Sequence, residues 1–369
     1  MKAVVLVGGE GTRLRPLTFS IPKPLLPIAN QAHLERQLAW LAGHGVDEVV
    51  LSMGYLPDAF HAHFGDGSGR DTFGDVTLRY AVEDEPLGTA GAIRFAAEGI
   101  EERFIVCNGD VLTALDLGAM VRFHDERGAE ATISLTQVED PSAFGVVPTR
   151  DDGQVIAFVE KPAPGKAPSN WINAGTYVLE PSFCDRIPPR LNVSVERETF
   201  PRMLQQPGLL YGYQSDAYWI DIGTPEKYLQ VHADMLAGEM GFPPAPGATE
   251  RAPGVWTQGS VHIEDDAHIV SPVLIGAGTR IERNAHVAAS VLGRDVIVEV
   301  GADVHGGVLH DRVRVYDATV ADSVVGAGSV CKPDVYLAAQ TIVGADVTIS
   351  TGTRLTAGRV PAESPDTNE

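Results

Sequence analysis

The sequence predicts an α/β domain with a mostly parallel, Rossmann-like sheet, followed by a left-handed parallel β-helix of hexapeptide repeats. Two patterns lead to this prediction. Up to about Leu236, short apolar runs alternate with helix-like periodic segments, as in domains whose parallel strands are joined by helices. Beyond Trp256, aliphatic residues recur every six positions, a period that fits neither an α-helix nor a simple alternating strand.

The first strand of the α/β region is the apolar run Val4–Val7, which leads directly into a glycine turn. Asn30 is expected to cap the next helix, in which apolar residues from Leu34 to Leu41 stand at helical spacing, and 49–51 is the second strand. Further strands are predicted at 104–106, 131–135, 155–159 and 175–179, and further helices at 89–97 and 117–127. Sheets of this kind bind ligands at the carboxyl ends of their strands, where the glycine turn falls.

Residues 237–255 lose this periodicity and gather prolines and glycines, which predicts a linker between a domain at 1–236 and a second domain at 256–360. In the second domain Ile263, Ile269, Ile275, Ile281 and Val287 are spaced by six. Hexapeptide solenoids stack one aliphatic residue of each unit inward and expose an open face, so we expect a homo-oligomer built through this domain. The polar tail at 361–369 is predicted to be disordered.

Charge and cysteine content exclude several classes of protein. The 369 residues include 28 Lys+Arg and 49 Asp+Glu, and the net charge of −21 argues against nucleic acid or an anionic membrane as partner. The three cysteines form no C-x-x-C and indicate neither a disulfide framework nor a zinc site. With no signal-peptide pattern and no run near the ~20 apolar residues of a membrane span, we expect a cytoplasmic protein.

The turn after the first strand reads Gly-Gly-Glu-Gly-Thr-Arg-Leu-Arg-Pro-Leu-Thr and is followed by Pro-Lys-Pro. Its glycines let backbone N–H groups approach an anion, and Arg13 and Lys23 supply positive charge, so a nucleoside triphosphate site is predicted. A dinucleotide-binding loop would need a third glycine where Leu14 stands, and a Walker A motif is absent. For the glycines alone, an ordinary strand-to-helix turn is the alternative.

The full string closely resembles the signature of the sugar-1-phosphate nucleotidylyltransferases, and the resemblance extends over the whole chain. It implies that a sugar-1-phosphate and an NTP react to give an NDP-sugar and pyrophosphate. It also implies that the loop wraps the triphosphate, with Arg13 and Lys23 as catalytic residues. The nucleotide-binding residues implied in this part of the chain are Leu6, Gly8, Gly9, Gly11, Thr12, Arg13 and Lys23.

Two aspartates stand in similar settings further along the chain. Asp110 ends Asn108-Gly109-Asp110 after an apolar strand, and Asp221 lies between Trp219 and Gly223. Taken alone, Asn-Gly-Asp is ordinary turn chemistry. The resemblance implies that both aspartates hold Mg²⁺ against the substrate phosphates, that Asp110 is catalytic and that Asn108 binds nucleotide. Mg²⁺ suits such a site, because it takes one or two carboxylates together with phosphate oxygens and water.

The segment Glu85-Pro86-Leu87-Gly88-Thr89-Ala90-Gly91 predicts a turn followed by the start of a helix. The resemblance implies that it faces the nucleobase, that Glu85, Gly88 and Thr89 bind nucleotide, and that its glycines let base edges approach the backbone. Leu-Gly-Thr-Ala-Gly looks like the guanylyltransferases that make GDP-mannose, whereas thymidylyltransferases tend to carry Gly-Leu-Ala-x-Ala. The expected substrates are therefore GTP and mannose-1-phosphate.

Three alternatives to this function stay open. The first keeps the chemistry but uses glucose-1-phosphate with dTTP or UTP, and the second uses another hexose or heptose phosphate. The third is a catalytically silent subunit that binds a nucleotide-sugar and regulates a partner. The presence of Arg13, Lys23, Asp110 and Asp221 argues against the third, because a silent subunit would be free to lose them.

Three further segments resemble the family's sugar-phosphate site. They are Phe144-Gly145-Val146-Val147, Val159-Glu160-Lys161-Pro162 and Asn173-Ala174-Gly175-Thr176-Tyr177. A carboxylate such as Glu160 accepts hydrogen bonds from sugar hydroxyls, a lysine neutralises phosphate, and an asparagine both donates and accepts. The residues implied to bind the sugar phosphate are Gly145, Glu160, Lys161, Asn173, Gly175 and Trp219.

Histidines offer two further possibilities. His61-x-His63 is best interpreted as a solvated helix face, because no third metal ligand stands nearby. His286, His305 and His310 lie in the repeat region, and some hexapeptide β-helices are acyltransferases with a catalytic histidine, but nothing around them resembles an acyl-carrier site. We expect the repeat domain to supply no catalytic group, so that truncation after Leu236 leaves weak activity.

Overall fold

The computed structural model describes residues 1–65 and 76–361, so the predicted tail lies outside the described residues apart from Pro361. The chain forms two compact units. The first consists of Met1–Gly9 and Leu34–Ile220, and the second of Glu10–His33 and the residues from Asp221 onward. The loop that follows the first strand is therefore divided between the two units, with the boundary after Gly9.

The regular elements up to residue 237 are short strands alternating with six α-helices among the described residues. The strands are β1 (Lys2–Leu6), β2 (Pro27–Ile28), β3 (Gln31–Ala32), β4 (Glu48–Met53), β5 (Thr77–Val82), β6 (Phe104–Asn108), β7 (Val111–Thr113), β8 (Ala131–Gln137), β9 (Gly145–Val146), β10 (Val159–Glu160), β11 (Trp171–Leu179), β12 (Leu210–Gln214) and β13 (Trp219–Asp221). The helices are α1 (His33–Gly43), α2 (Pro57–Phe64), α3 (Gly88–Ala96), α4 (Leu117–Arg127), α5 (Phe200–Met203) and α6 (Pro225–Ala237).

A nine-stranded sheet forms the centre of the first unit. Its main path runs β10-β9-β11-β6-β1-β4-β5, and β8 joins β11 to β12. β1 is parallel to β4 and β6, and β4 is parallel to β5, whereas β11 runs antiparallel to β6 and β8. Ala3, Val4 and Val5 are fully buried, as expected for a parallel strand covered on both faces. The predicted Rossmann-like α/β fold is confirmed.

Two local predictions are wrong. Residues 155–159 form no continuous strand, because Val155 and Gln154 make single bridges to different neighbours and only Val159–Glu160 pairs as β10. Asn30 does not cap α1, which begins at His33. Asn30 has a positive φ of 63° and its Nδ2 donates to the Leu292 carbonyl oxygen at 2.8 Å, within the second unit.

The second unit contains many short strands, most of which pair in parallel. These strands are β14 (Ala248–Ala252), β15 (Val255–Gln258), β16 (His262–Ile263), β17 (His268–Ile275), β18 (Arg280–Ile281), β19 (His286–Leu292), β20 (Ile297–Val298), β21 (Asp303–His305), β22 (Val308–Leu309), β23 (Arg314–Val315), β24 (Thr319–Ala321), β25 (Val324–Val325), β26 (Val330–Cys331), β27 (Tyr336–Ala338), β28 (Ile342–Val343), β29 (Thr348–Ile349), β30 (Arg354–Thr356) and β31 (Arg359–Val360). β14, which falls in the proline- and glycine-rich segment, pairs antiparallel with β15.

The six-residue period has a direct structural origin. Ile263 pairs in parallel with Ile281, and Ile281 pairs with Val298, so each coil comprises about three hexapeptide units. The same parallel pairing continues from Val298 to Val315, Cys331 and Ile349. The side chains in this row are buried from Ile281 onward. A parallel β-helix follows from this ladder, while its left-handedness stays a prediction.

None of the helices in the described ranges has both the length and the apolar composition needed to span a bilayer.

Candidate active site

A cavity of about 270 Å³ opens in the first unit at the carboxyl ends of β1 and β4. This is where ligands of parallel sheets bind, and the amino end of α3 borders the same space. Five predicted nucleotide-binding residues line it, namely Leu6, Gly8, Gly9, Gly88 and Thr89. The other lining residues are Ser52, Glu83, Pro86 and Ala92, whereas the predicted Glu85 is exposed and does not line the cavity.

The glycines at the mouth of the cavity have different surroundings. A Cβ on Gly8 would lie 3.3 Å from the backbone nitrogen of Gly54, so only glycine fits this close approach without displacement. Around Gly9, by contrast, there is open space where a side chain would stand. This space leaves room for a ligand to approach the backbone of Gly9, which lines the cavity.

Glu83 was missed by sequence reasoning and is the one charged residue among those lining the cavity. Its Oε1 accepts from Ser52 Oγ at 3.1 Å and its Oε2 accepts from the Leu87 N–H at 2.9 Å. These bonds fix the carboxylate directly after β5. No pattern in the sequence marks Glu83, because β5, the strand that it follows, is not among the strands predicted from the sequence.

Asp110 lies in the tight connection between β6 and β7. The Gly109 N–H donates to the Leu6 carbonyl oxygen at 2.9 Å, and a Cβ on Gly109 would lie 2.7 Å from that oxygen. Gln37 Nε2 donates to the Asn108 carbonyl oxygen at 2.9 Å. The connection is thus held from both sides, which gives Asp110 a defined position after the strand.

The predicted sugar-phosphate residues form a connected group in the first unit. Gly145 faces Glu160 across the β9–β10 pair, and a Cβ on Gly145 would lie 3.0 Å from Glu160 Oε2. Lys161 follows directly, with a positive φ of 48° and an exposed side chain whose Nζ is 3.9 Å from Glu160 Oε1. Burial raises the pKa of the Glu160 carboxyl, Glu196 raises it further, and Lys161 and Arg197 oppose the shift.

The remaining members of this group lie on and around β11. Asn173 Nδ2 donates to the Tyr177 hydroxyl at 2.9 Å, and Trp219 Nε1 donates to the Ala174 carbonyl oxygen at 2.8 Å. Gly175 has a φ of 75°, and a Cβ there would lie 2.6 Å from Asn108 Nδ2. The missing side chain of Gly175 therefore lets β11 pass close to the end of β6.

The predicted cations and the second aspartate belong to the second unit. Gly11 adopts a φ of 62°, and Thr18 Oγ1 donates to its carbonyl oxygen at 2.9 Å, which shapes the turn that carries Thr12 and Arg13. A Cβ on Gly11 would also lie 3.1 Å from Lys23 Cβ.

Asp221 is surrounded by positive charge within the same unit. A Cβ on Gly223 would lie 2.9 Å from Arg13 Nη2 and 3.3 Å from Asp221 Oδ2, so both groups border the space beside this glycine. Lys227 forms an ion pair with Asp221 Oδ1. Asp221 thus has a lysine as its counter-ion. No group of three or more metal-ligating side chains occurs among residues 1–65 and 76–361, so a cation here would rely on few carboxylates.

The histidines of the repeat region lie in structural settings. His310 is buried, its Nε2 is 3.0 Å from the Tyr228 hydroxyl, and burial lowers its pKa to about 4. His286 and His305 both contact Asp303 through Nδ1, at 2.8 and 3.3 Å. In the first unit, His63 pairs with Glu35 at 2.9 Å.

Comparison with known proteins agrees with this architecture. Residues 2–238 match the nucleotidyl transferase family model. The chain is 40% identical over 315 residues to a mannose-1-phosphate guanylyltransferase of Mycobacterium tuberculosis, covering 85% of this chain and 80% of the relative. It is 36% identical over 365 residues to mannose-1-phosphate guanylyltransferase 1 of Arabidopsis thaliana, covering 95% and 92%.

Other specificities occur among the relatives. A UTP–glucose-1-phosphate uridylyltransferase of Synechocystis is 35% identical over 330 residues, covering 85% of this chain and 84% of the relative. Among solved structures, HddC from Yersinia pseudotuberculosis complexed with GMP-PN matches with 31% identity and a TM-score of 0.54, over 63% of this chain and 97% of that chain.

Proposed function

Since the chain belongs to the nucleotidyl transferase family, we propose that it joins a sugar-1-phosphate to an NTP, with mannose-1-phosphate and GTP as its substrates. The products are GDP-mannose and pyrophosphate. The names of the guanylyltransferase relatives favour this pair. The single observation that carries the proposal is the cavity at the strand ends, with open backbone at Gly9 and a fixed carboxylate at Glu83.

Glu83 supports guanine as the base. Guanine carries two neighbouring donors, the ring N1–H and the exocyclic amino group, and a carboxylate that already accepts two bonds has lone pairs left for both. Uracil and thymine present one ring N–H flanked by carbonyl oxygens, which a carboxylate repels. A site that hydrogen-bonds a particular set of donors rejects ligands lacking them, because its buried polar groups are then left unpaired.

In the proposed reaction an oxygen of the sugar phosphate attacks the α-phosphorus in line, and no enzyme nucleophile takes part. The chain therefore has to align two anions and neutralise their charge. Arg13 and Lys23 stabilise the charge that develops toward pyrophosphate, and Lys161 holds the incoming phosphate. Glu160 and Asn173 bind sugar hydroxyls, with Gly145 leaving room for the Phe158 ring and the Glu160 carboxylate, and with Trp219 at the edge of the sugar.

Mg²⁺ is the proposed cofactor, and Asp110 and Asp221 are the residues that would hold it. Their carboxylate oxygens are the hard ligands that Mg²⁺ prefers, and a site with one or two protein carboxylates completed by phosphate oxygens is usual for it. When bound, the ion supplies counter-charge to the phosphates. Asp221 already pairs with Lys227, so Mg²⁺ would have to share this carboxylate with the lysine or displace it.

A uridylyltransferase acting on glucose-1-phosphate is the second candidate, favoured by the Synechocystis relative. We also propose that the enzyme works in the cytoplasm, since Cys107, Cys184 and Cys331 are all free thiols suited to a reducing compartment. A homo-oligomer assembled through the β-helix completes the proposal.

The test is pyrophosphate release by the purified chain with GTP, UTP, dTTP and ATP, each paired with mannose-1-phosphate and glucose-1-phosphate. We expect GTP with mannose-1-phosphate to give the highest kcat/KM. Glu83→Gln should lower the ratio of kcat/KM for GTP to that for UTP at least tenfold. This factor corresponds to the loss of about one base-specific hydrogen bond to a charged group. Asp84→Asn is the matched control, because Asp84 is exposed on the same connection between β5 and α3 and does not line the cavity. Equal preference in wild type and Glu83→Gln would contradict the role of Glu83.

A further inference from the structure

Residues 191–196 carry none of the predicted site residues, yet they are bound along the start of α3. The Val193 N–H donates to the Leu87 carbonyl oxygen, and the Ala90 N–H donates to the Val193 carbonyl oxygen, both at 2.9 Å. Asn192 Nδ2 donates to the Pro86 carbonyl oxygen at 2.9 Å. The segment is therefore fixed to the backbone that borders the nucleotide cavity.

The glycines of Leu-Gly-Thr-Ala-Gly make room for this segment. A Cβ on Gly88 would lie 2.7 Å from the Val193 carbonyl oxygen, and one on Gly91 would lie 2.5 Å from the Leu191 carbonyl oxygen. Both clashes are with backbone, so neither could be relieved by turning a side chain. Packing of the chain against itself is thus a reason for these glycines besides room for a base.

Glu196 connects this segment to the cavity through Thr89. Thr89 Oγ1 donates to Glu196 Oε2 at 2.8 Å, and the Val195 N–H donates to Thr89 Oγ1 at 2.8 Å. Ser194 Oγ donates to the same Glu196 oxygen at 2.7 Å. A hydroxyl has one proton to donate, so the Thr89 proton is already used and the orientation of this cavity-lining side chain is set by Glu196.

Glu196 also acts toward the sugar side of the first unit. It lies on a π-helical turn, Val195–Thr199, a conformation frequent at functional sites. Its charge is near enough to Glu160 to be the second cause, after burial, of the raised pKa of that carboxyl. The charged groups acting on Glu160 are Glu196, Lys161 and Arg197. A neighbouring negative charge disfavours the ionised form of a carboxyl.

We propose that Glu196 is a positioning residue for the nucleotide: its hydrogen bond fixes Thr89 in the nucleotide cavity. This inference rests on the proposed function. The property it assigns to Glu196 is that of a hydrogen-bond acceptor. Substitution by alanine removes the acceptor, whereas glutamine keeps an acceptor and removes only the charge.

The first experiment compares Glu196→Ala and Glu196→Gln with Glu198→Ala and Glu198→Gln. Glu198 is the matched control, because it lies on the same turn and accepts from the Ser194 N–H, but pairs with Arg202 and not with Thr89. Glu196→Ala should weaken equilibrium GTP binding about fivefold to tenfold, the equivalent of one lost hydrogen bond. Glu196→Gln keeps an acceptor and should stay within about twofold of wild type.

Amide hydrogen exchange of residues 87–91 gives a readout that needs no turnover. Faster exchange in Glu196→Ala than in Glu198→Ala supports the positioning role. Equal exchange in the two alanine variants, or GTP binding unaffected by Glu196→Ala, would overturn it. Absence of turnover by wild type with every NTP and sugar phosphate would instead overturn the proposed function, and the exchange data would still decide on Glu196.

Discussion

At the scale of single residues, Asp110 is the proposed metal-binding group with the most defined position, because hydrogen bonds at Gly109 and Asn108 hold the backbone before it. We predict that Asp110→Asn lowers kcat about 10²-fold or more while the chain stays folded, as when a key electrostatic group is removed. The measurement is turnover at saturating Mg²⁺, with circular dichroism as a check on folding. Asp151→Asn, in an exposed turn, is the control, and a near-normal kcat for Asp110→Asn would contradict the metal role.

Arg13 and Lys161 should differ in the kind of kinetic effect they produce. Arg13→Ala is predicted to lower kcat chiefly, because its guanidinium acts on charge that develops during the reaction. Lys161→Ala is predicted to raise the KM for the sugar phosphate chiefly, because its exposed ammonium binds the ground state. Steady-state kinetics with each substrate varied separately tests this, and identical profiles for the two variants would mean that the roles are wrongly assigned.

At the scale of elements, glycines in the turns of the β-helix are constrained by the next coil. Gly278 and Gly352 share a φ of 74°, but Asp295 Oδ1 occupies the place of a Cβ on Gly278, whereas nothing lies within 4 Å of one on Gly352. Gly352→Ala should therefore cost about 1–2 kcal/mol of unfolding free energy from the left-handed backbone alone. Gly278→Ala should cost about 1–3 kcal/mol more from overpacking.

Chemical denaturation of both variants measures this difference. The double variant Gly278→Ala with Asp295→Gly removes the obstructing carboxylate, suits the positive φ of 55° at position 295, and should recover most of the extra loss. Equal destabilisation by Gly278→Ala and Gly352→Ala would show that the Asp295 side chain turns away at no cost, and the coil-to-coil contact would then not explain the glycine.

His310 predicts a pH dependence of stability in the second unit. Tyr228 donates its hydroxyl proton to the Pro27 carbonyl oxygen, so its oxygen accepts from His310 Nε2, and His310 is buried and neutral. Its pKa falls from 6.5 to about 4 on folding, so the unfolded chain binds the proton first as pH falls. The free energy of unfolding therefore decreases as the pH falls from 6.5 to about 4, by about 3 kcal/mol at most.

Unfolding free energies measured between pH 7 and 4 test this dependence. His310→Gln keeps a donor for the Tyr228 oxygen but does not titrate, so it should flatten the pH dependence by the amount assigned to His310. His262→Gln is the control, because His262 is exposed and pairs only with Glu264. A slope unchanged in His310→Gln would show that other groups produce it.

The sequence predicted those elements whose signal is periodic or local. α4 begins and ends at the predicted residues, and the six-residue spacing corresponds to the stacked ladder through Ile281 and Val298. The prediction of a strand at 155–159 failed because apolar residues alone do not ensure that a segment pairs continuously with one neighbouring strand. Ile156, in the middle of the segment, is 52% exposed. The prediction that Asn30 caps α1 failed because its actual partners, Gln258 and the Leu292 carbonyl oxygen, are more than two hundred residues away along the chain. No local pattern encodes such distant contacts.

The candidate site was predictable where a motif is contiguous and not where it depends on tertiary contacts. The glycine turn and Asn-Gly-Asp are readable from the sequence. Glu83 and Glu196 were missed because a single acid has no distinguishing pattern until Ser52 or Thr89 is seen beside it. Their roles stay predictions, but their positions could only come from the fold.

At the scale of the whole molecule, the division of the chain into units changes the expected result of truncation. The sequence predicts weak activity after removal of the residues beyond Leu236. However, the second unit includes Glu10–His33, the segment that carries Arg13 and Lys23. Within this unit, Asn30 donates to the Leu292 carbonyl oxygen and Pro16 lies against Gly344. Truncation would remove these partners, so we now predict that kcat falls at least 10²-fold, comparable to loss of an electrostatic group.

The same reasoning applies to a point substitution in the full chain. Asn30→Ala removes two hydrogen bonds, about 1–3 kcal/mol, that hold the loop within its unit. It should lower kcat while leaving binding of the sugar phosphate, whose proposed residues lie in the first unit, near that of wild type.

Light scattering on the truncated and full chains tests the proposed oligomer. Hydrogen exchange on the truncated chain shows whether β1, β4 and β6 stay protected. A truncated chain that keeps a folded sheet and substantial turnover would show that residues 10–33 find their active conformation without the β-helix.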